Sequence, residues 1–105
     1  MERIEKILTF LKDNPTDNFL QHALALEYIK AGEDHKAKQI FIALLERDPS
    51  YIGSYYHLAQ LLERTGEQAE AINWYKLGMA EAKKQNNTKT YNELEAACED
   101  LADNG

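Results

Sequence analysis

A chain of 105 residues with 44% apolar and 29% charged side chains has the size and composition of one soluble globular domain, and two prolines and five glycines leave most of it free to be helical. Eighteen acidic against twelve basic side chains give a formal net charge of −6, a surface that repels a phosphate backbone; the densest basic cluster is only the pair Lys83 and Lys84, so no nucleic-acid partner is expected. No apolar run approaches the length of a bilayer span, and Glu2, Arg3, Glu5 and Lys6 interrupt the first segment as a signal peptide, so the expectation is a cytoplasmic protein with no membrane partner.

From Glu2 to Asp13, Ile4, Ile7, Leu8, Phe10 and Leu11 recur at spacings of three and four, which predicts a helix with these side chains on one face. Asn14 and Pro15 end it, because proline disfavours helical geometry in the residue before it. Thr16 is the expected N-cap of a second helix over about 17–31, with Asp17 at the positive end of the dipole and Leu20, Ala23, Leu24, Leu26, Glu27 and Tyr28 on a broad face. Gly32 stops that helix, since the left-handed geometry just past a helix end disfavours other residues.

A third helix over 34–47 turns Ala37, Ile40, Phe41, Leu44 and Leu45 inward and ends at Asp48 and Pro49. Ser50 is the expected cap of a fourth, over about 51–64, which packs Tyr55, Leu58, Ala59, Leu61 and Leu62. Thr65 and Gly66 repeat the earlier turn. The fifth helix, about 68–85, presents Ala71, Ile72, Trp74, Tyr75, Met79 and Ala82 and runs longer for want of a closing proline. After a turn at Asn86 and Asn87, a last helix opening at Thr88 or Thr90 presents Tyr91, Leu94, Ala97, Cys98 and Leu101.

These elements repeat. Leu24, Ala25, Gly32, Glu33, Ala37 and Phe41 return 34 positions later as Leu58, Ala59, Gly66, Glu67, Ala71 and Tyr75. A period of that length signals stacked supersecondary units, each too small to bury its own apolar face. The alanines at 25, 37, 59 and 71 are small where helices would cross closely, and Tyr28, Phe41, Tyr55 and Tyr75 are large beside them, so leucine at one of those alanines should cost about 1–3 kcal/mol. Ile7, Phe10, Leu11 and Pro15 stand one period before Phe41, Leu44, Leu45 and Pro49, which makes the first helix the counterpart of a second helix in a repeat.

Residues 18 to 83 resemble two tandem tetratricopeptide repeats. Leu24, Ala25 and Tyr28 match the first helix of the pattern and Ala37, Phe41 and Pro49 the second; Tyr55, Leu58, Ala59, Ala71 and Tyr75 match in the next copy. Gln21 departs from the aromatic at the position of Tyr55, Leu62 from the tyrosine at the position of Tyr28, and Lys83 from the proline at the position of Pro49. The resemblance implies an all-α fold, a right-handed α-solenoid of antiparallel helix pairs with about six helices. Its implied organisation is a capping helix over 1–14, repeats over 18–51 and 52–85, and a second cap over 88–102.

Chemical motifs are sparse. His22, His35 and His57 lack the spacing of three to five that sets two ligands on one helical face, so no metal site is expected. Cys98 falls on the inward stripe of the last helix and reads as a small buried thiol; being the only cysteine, it fits a reducing compartment. Glu27 and Glu63 read as solvated or paired carboxylates rather than an acid and base. Without a phosphate loop or a nucleophile elbow, no enzyme activity and no cofactor are expected.

In the family that the chain resembles, the first helices of the repeats line a concave surface that holds an extended peptide or a partner helix. Projected onto this sequence, that groove presents Phe19, His22, Leu26 and Lys30 from the first repeat and Tyr56, Gln60, Glu63 and Arg64 from the second. The clamp for terminal carboxylates found in chaperone-associated members is not expected, because its positions are taken largely by His22, Leu26 and Tyr56 and a third full repeat is missing. The function implied is a non-catalytic adaptor for a protein or peptide. The alternative is a structural repeat protein, monomer or weak homodimer, associating through Trp74, Met79 and its end helices. Another occupant of the groove would be the chain's own terminus, Asp103, Asn104 and Gly105.

Overall fold

The computed structural model describes residues 2–104, with side chains to residue 103. Six helices are formed, α1 (Glu2–Asp13), α2 (Asn18–Lys30), α3 (Asp34–Arg47), α4 (Gly53–Arg64), α5 (Gln68–Lys84) and α6 (Thr88–Asn104), and there is no strand among the described residues. The chain divides into two compact units, α1 to α3 ending at Asp48 and α4 to α6 beginning at Pro49.

In the first unit α2 packs against both α1 and α3. Ile4, Ile7 and Leu24 form a buried cluster, flanked by half-buried Leu11, Ala23, Tyr28 and Ile40. The expected stripe on α1 is narrower than its sequence suggests: Leu8 and Phe10 are 41% and 59% exposed. A helix with one main neighbour buries only the residues at spacings of three and four along a single seam, here Ile4, Ile7 and Leu11. The two alanines of this unit at close crossings, Ala25 and Ala37, are completely buried, as is Phe41.

Gln21, which stands where the repeat pattern has an aromatic, joins a polar brace. Arg47 Nη2 donates to its Oε1 at 3.2 Å, and its own amide donates to Pro15 O at 2.7 Å. Arg47 also reaches Asn18 Oδ1, while Asn18 Nδ2 donates to Asp48 Oδ2 at 2.7 Å. The end of α3 is thereby tied to the start of α2 by hydrogen bonds where the second unit uses a ring.

That ring is Tyr55. In the second unit α5 packs against α4 and α6, and Tyr55 lies against Trp74 with ring centroids 6.1 Å apart while its hydroxyl donates to Pro49 O at 2.6 Å. Tyr55, Leu58, Ala59, Leu61, Leu62, Ala71, Tyr75, Ala82, Leu94, Cys98 and Leu101 form its buried apolar set, and Gly78 is buried with them. Ile72, Trp74, Met79, Tyr91 and Ala97, expected inward, are only half-buried. Leu77 is 45% exposed.

Two cap assignments are corrected. Asp17, not Thr16, caps α2: its Oδ1 accepts from Leu20 N–H at 3.0 Å, because the turn at Pro15 and Thr16 delays the helix by one residue and sets a carboxylate at the positive end of the dipole. Ser50 does not cap α4. The helix starts at Gly53 with Ile52 in the cap position and no side-chain cap bond, and Ser50 serves through its carbonyl, which accepts from Ile52 N–H and from Gln85 Nε2.

The turns after α2, α4 and α5 share one geometry. Gly32, Gly66 and Asn86 have φ of 78°, 82° and 56°, and the following residues Glu33, Glu67 and Asn87 donate back to Tyr28, Leu62 and Ala82 O at 2.8, 2.8 and 2.9 Å. This is the Schellman closure, which satisfies carbonyls orphaned at the helix end and needs a left-handed residue. Asn86 ends α5 as a glycine ends α2 and α4, and Asn87 Oδ1 then caps α6 by accepting from Thr90 N–H.

Candidate functional site

The side chains of the second unit converge on an open groove of about 670 Å³ between α4 and α6, with α5 behind. Tyr56, Gln60 and Glu63 recur at spacings of four and three, so α4 presents them on one stripe. Gln60 Nε2 donates to Tyr56 Oη at 3.0 Å, and the Tyr56 ring meets Tyr75 edge to face with centroids 6.2 Å apart. Tyr75 reaches the back wall from α5 and donates its hydroxyl in a short hydrogen bond to Glu63 Oε2. Burial, followed by the Glu63 hydrogen bond and charge, pushes the Tyr75 phenol up from its ordinary value of 10. The pair thus holds a half-buried carboxylate in a fixed orientation with a donor that does not ionise at neutral pH.

The opposite wall is α6. Ala96 and Ala97 leave room along it, while Glu93, Glu99, Asp100 and Asp103 rim it with carboxylates. One lysine against five carboxylates gives α6 a net charge of −4, out of −6 for the chain. Asp103 lies in the last turn, at the negative end of the helix dipole, and no basic residue offsets it there. Arg64 stands at the margin of the groove, exposed, and lines an adjoining depression with Gln60 and Glu63.

Of the residues expected to line a binding surface, the structure brings Tyr56, Gln60 and Glu63 into one cavity and Arg64 beside it. The four from α2 have dissimilar surroundings. Phe19 is 70% exposed. His22 is half-buried with its ring edge to face with Phe41 at 5.6 Å, and Leu26 is half-buried. Lys30 pairs with Glu27 at 3.5 Å, and Arg3 reaches the same carboxylate at 3.0 Å, so Glu27 is a structural node between α1 and α2. The α6 wall and Tyr75 were not among the expected residues; the concentration of charge in residues 88–104 was the available signal.

His35 accepts or donates to Gln39 at 3.2 Å, and His57 sits edge to face with Tyr56, where burial lowers its pKa from 6.5. Among the described residues no three His, Cys, Asp or Glu side chains are placed to hold a metal ion, and no helix is long and apolar enough to cross a membrane. Asp103 belongs to α6 and lines the groove as wall, while the Asn104 side chain and Gly105 lie outside the described residues.

A sequence model of the tetratricopeptide repeat matches residues 20–51 and, directly after them, 52–85. The chain belongs to the tetratricopeptide repeat family. Its fold is correspondingly similar to that of a tetratricopeptide repeat domain protein from Salinibacter ruber, whose crystal structure is 36% identical over 82% of this chain and 96% of that one, with a TM-score of 0.77. A solution structure of a tetratricopeptide repeat domain protein from Salinibacter ruber gives 37% identity, 83% and 88% coverage and a TM-score of 0.80. A protein from Bordetella parapertussis matches in fold alone, at 23% identity over 96% of this chain and 88% of that one, with a TM-score of 0.82. No curated protein matches. Tetratricopeptide repeats are generally protein–protein interaction modules and typically non-catalytic. The helix pairs α2 with α3 and α4 with α5 are the two matched repeats.

Proposed function

We propose that this tetratricopeptide repeat protein is a cytoplasmic adaptor without catalytic activity, which holds a peptide segment or helix of a partner protein against the first helices of its repeats. The observation that supports it most is the groove in the second unit, where Tyr56, Gln60 and Glu63 face open space against α6. A half-exposed tyrosine with its hydroxyl already oriented by Gln60 offers contact area at low entropic cost, which is the property that makes tyrosine common in binding surfaces. Phe19 extends the same helix role to the first repeat as an exposed aromatic on α2. Neither nucleic acid nor a membrane suits a surface of net charge −6.

Affinity capture from the native cell extract, run in parallel with wild type and with Tyr56→Ala and His22→Ala, tests this reading. The expected result is a protein recovered by wild type and lost or depleted with the variants, while circular dichroism shows both variants still helical and cooperatively folded at the capture temperature. Equal recovery by folded variants would move the binding surface elsewhere.

A further inference from the structure

Resting on the groove reading above, we infer that the groove between α4 and α6 takes a segment carrying lysine or arginine from a partner protein. The floor and the rim differ in kind. The floor is Tyr56 with the small Ala96 and Ala97, shaped to receive an aliphatic stem; the rim is Glu93, Glu99 and Asp103, which have no cation within ion-pair distance among the described residues. A long basic side chain satisfies both at once, its methylenes on the tyrosine ring and its charged head at the carboxylates. Glu63 adds a fourth carboxylate, held in place by Tyr75. Arg64 stands at the margin and lines an adjoining depression with Gln60 and Glu63.

Charge also selects against other occupants. A second copy of this chain carries the same net charge of −6, and an acidic peptide would bring its carboxylates against those of α6. Intramolecular stability does not account for the rim, since Asp103 at the negative end of the α6 dipole opposes folding rather than favouring it. The partner's basic residue reverses that unfavourable placement on binding.

The test is selection of a random peptide library displayed on phage against the full chain, followed by titration of the selected peptides against wild type, Tyr56→Ala, and the double variant Glu99→Gln with Asp103→Asn. Gln60→Lys, at an exposed position, serves as a second blocking variant that leaves the core untouched. The expected peptides are rich in lysine or arginine, are lost with Tyr56→Ala and Gln60→Lys, bind the double variant about tenfold more weakly, and weaken as salt is raised. Peptides that depend on Tyr56 but are neutral or acidic, or that ignore the double variant, would overturn the basic-partner inference and leave the groove reading standing. Peptides indifferent to both blocking variants, or no selected peptide at all, would overturn both.

Discussion

Gly78 and Tyr55 approach so closely that a Cβ on Gly78 would stand 2.7 Å from Tyr55 Cβ. Leu94 Cδ1, at 3.0 Å from the same point, could swing aside, but Tyr55 Cβ is bonded to the α4 backbone and cannot. Glycine is therefore the residue that lets α5 carry a ring from α4 across its middle. One period earlier the corresponding residues are Leu44 and Gln21, so the first repeat has neither the glycine nor the ring.

Gly78→Ala sets two effects against each other. Alanine gains about 0.8–1.0 kcal/mol in helix propensity, whereas forcing a methyl into a rigid contact costs about 1–3 kcal/mol. Because the contact is with a backbone-bonded atom, packing should win, with a net loss of up to about 2 kcal/mol in urea unfolding. A stabilised Gly78→Ala protein would show that the crossing has slack.

Asn86 is the exception among the three left-handed turn residues, because it carries a side chain where Gly32 and Gly66 have none. Asn86→Gly should stabilise the chain by up to about 1 kcal/mol, and Gly66→Ala should destabilise it by about 1–2 kcal/mol although nothing stands within 4 Å of the added Cβ. Thermal melts of the two variants, moving in opposite directions, check the shared closure.

Tyr75→Phe removes the donor to Glu63 and leaves a half-buried carboxylate without it, at a cost of about 1–3 kcal/mol near neutral pH. Burial of the Tyr75 phenol, with the same bond second to it, predicts an alkaline limit. Because the folded-state pKa of Tyr75 lies above its unfolded value of 10, its contribution is complete below pH 10 and is lost as pH rises beyond it, when the unfolded chain releases a proton that the folded chain keeps. The loss is about 1.4 kcal/mol per pH unit. Denaturant midpoints measured on both sides of pH 10 should fall in wild type and fall less steeply in Tyr75→Phe.

His57 sets the opposite limit. Burial lowers its folded pKa below 6.5, so stability is complete above that pH and declines as pH falls past it, when the unfolded chain takes up a proton first. His57→Gln should flatten the decline between about pH 6.5 and 5 in the same unfolding measurement. An unchanged acid limb would mean that imidazole is charged as easily in the fold as out of it.

Helix number, order and family were all legible in the amino acids, because a period of 34 with alanine, glycine and proline at fixed places encodes local constraints: where a helix stops, where a turn goes left-handed, where two helices need a small residue. Pro15 and Pro49 end α1 and α3 as read, and Ala25, Ala37, Ala59 and Ala71 are all fully buried. What escaped that reading depends on neighbours. Leu8 and Phe10 have the periodicity of a core face yet stay exposed, since periodicity marks which residues share a side and not how much partner covers it. Nothing local marks Gly78 as a crossing point; only packing sets Tyr55 beside it. Likewise, Tyr56, Gln60 and Glu63 could be placed on one stripe of α4 from spacing alone, but only packing brought the carboxylates of α6, more than thirty residues further along, to face them. A helix fixes the direction of its own side chains, whereas the chemistry across a groove belongs to whichever element the fold sets opposite.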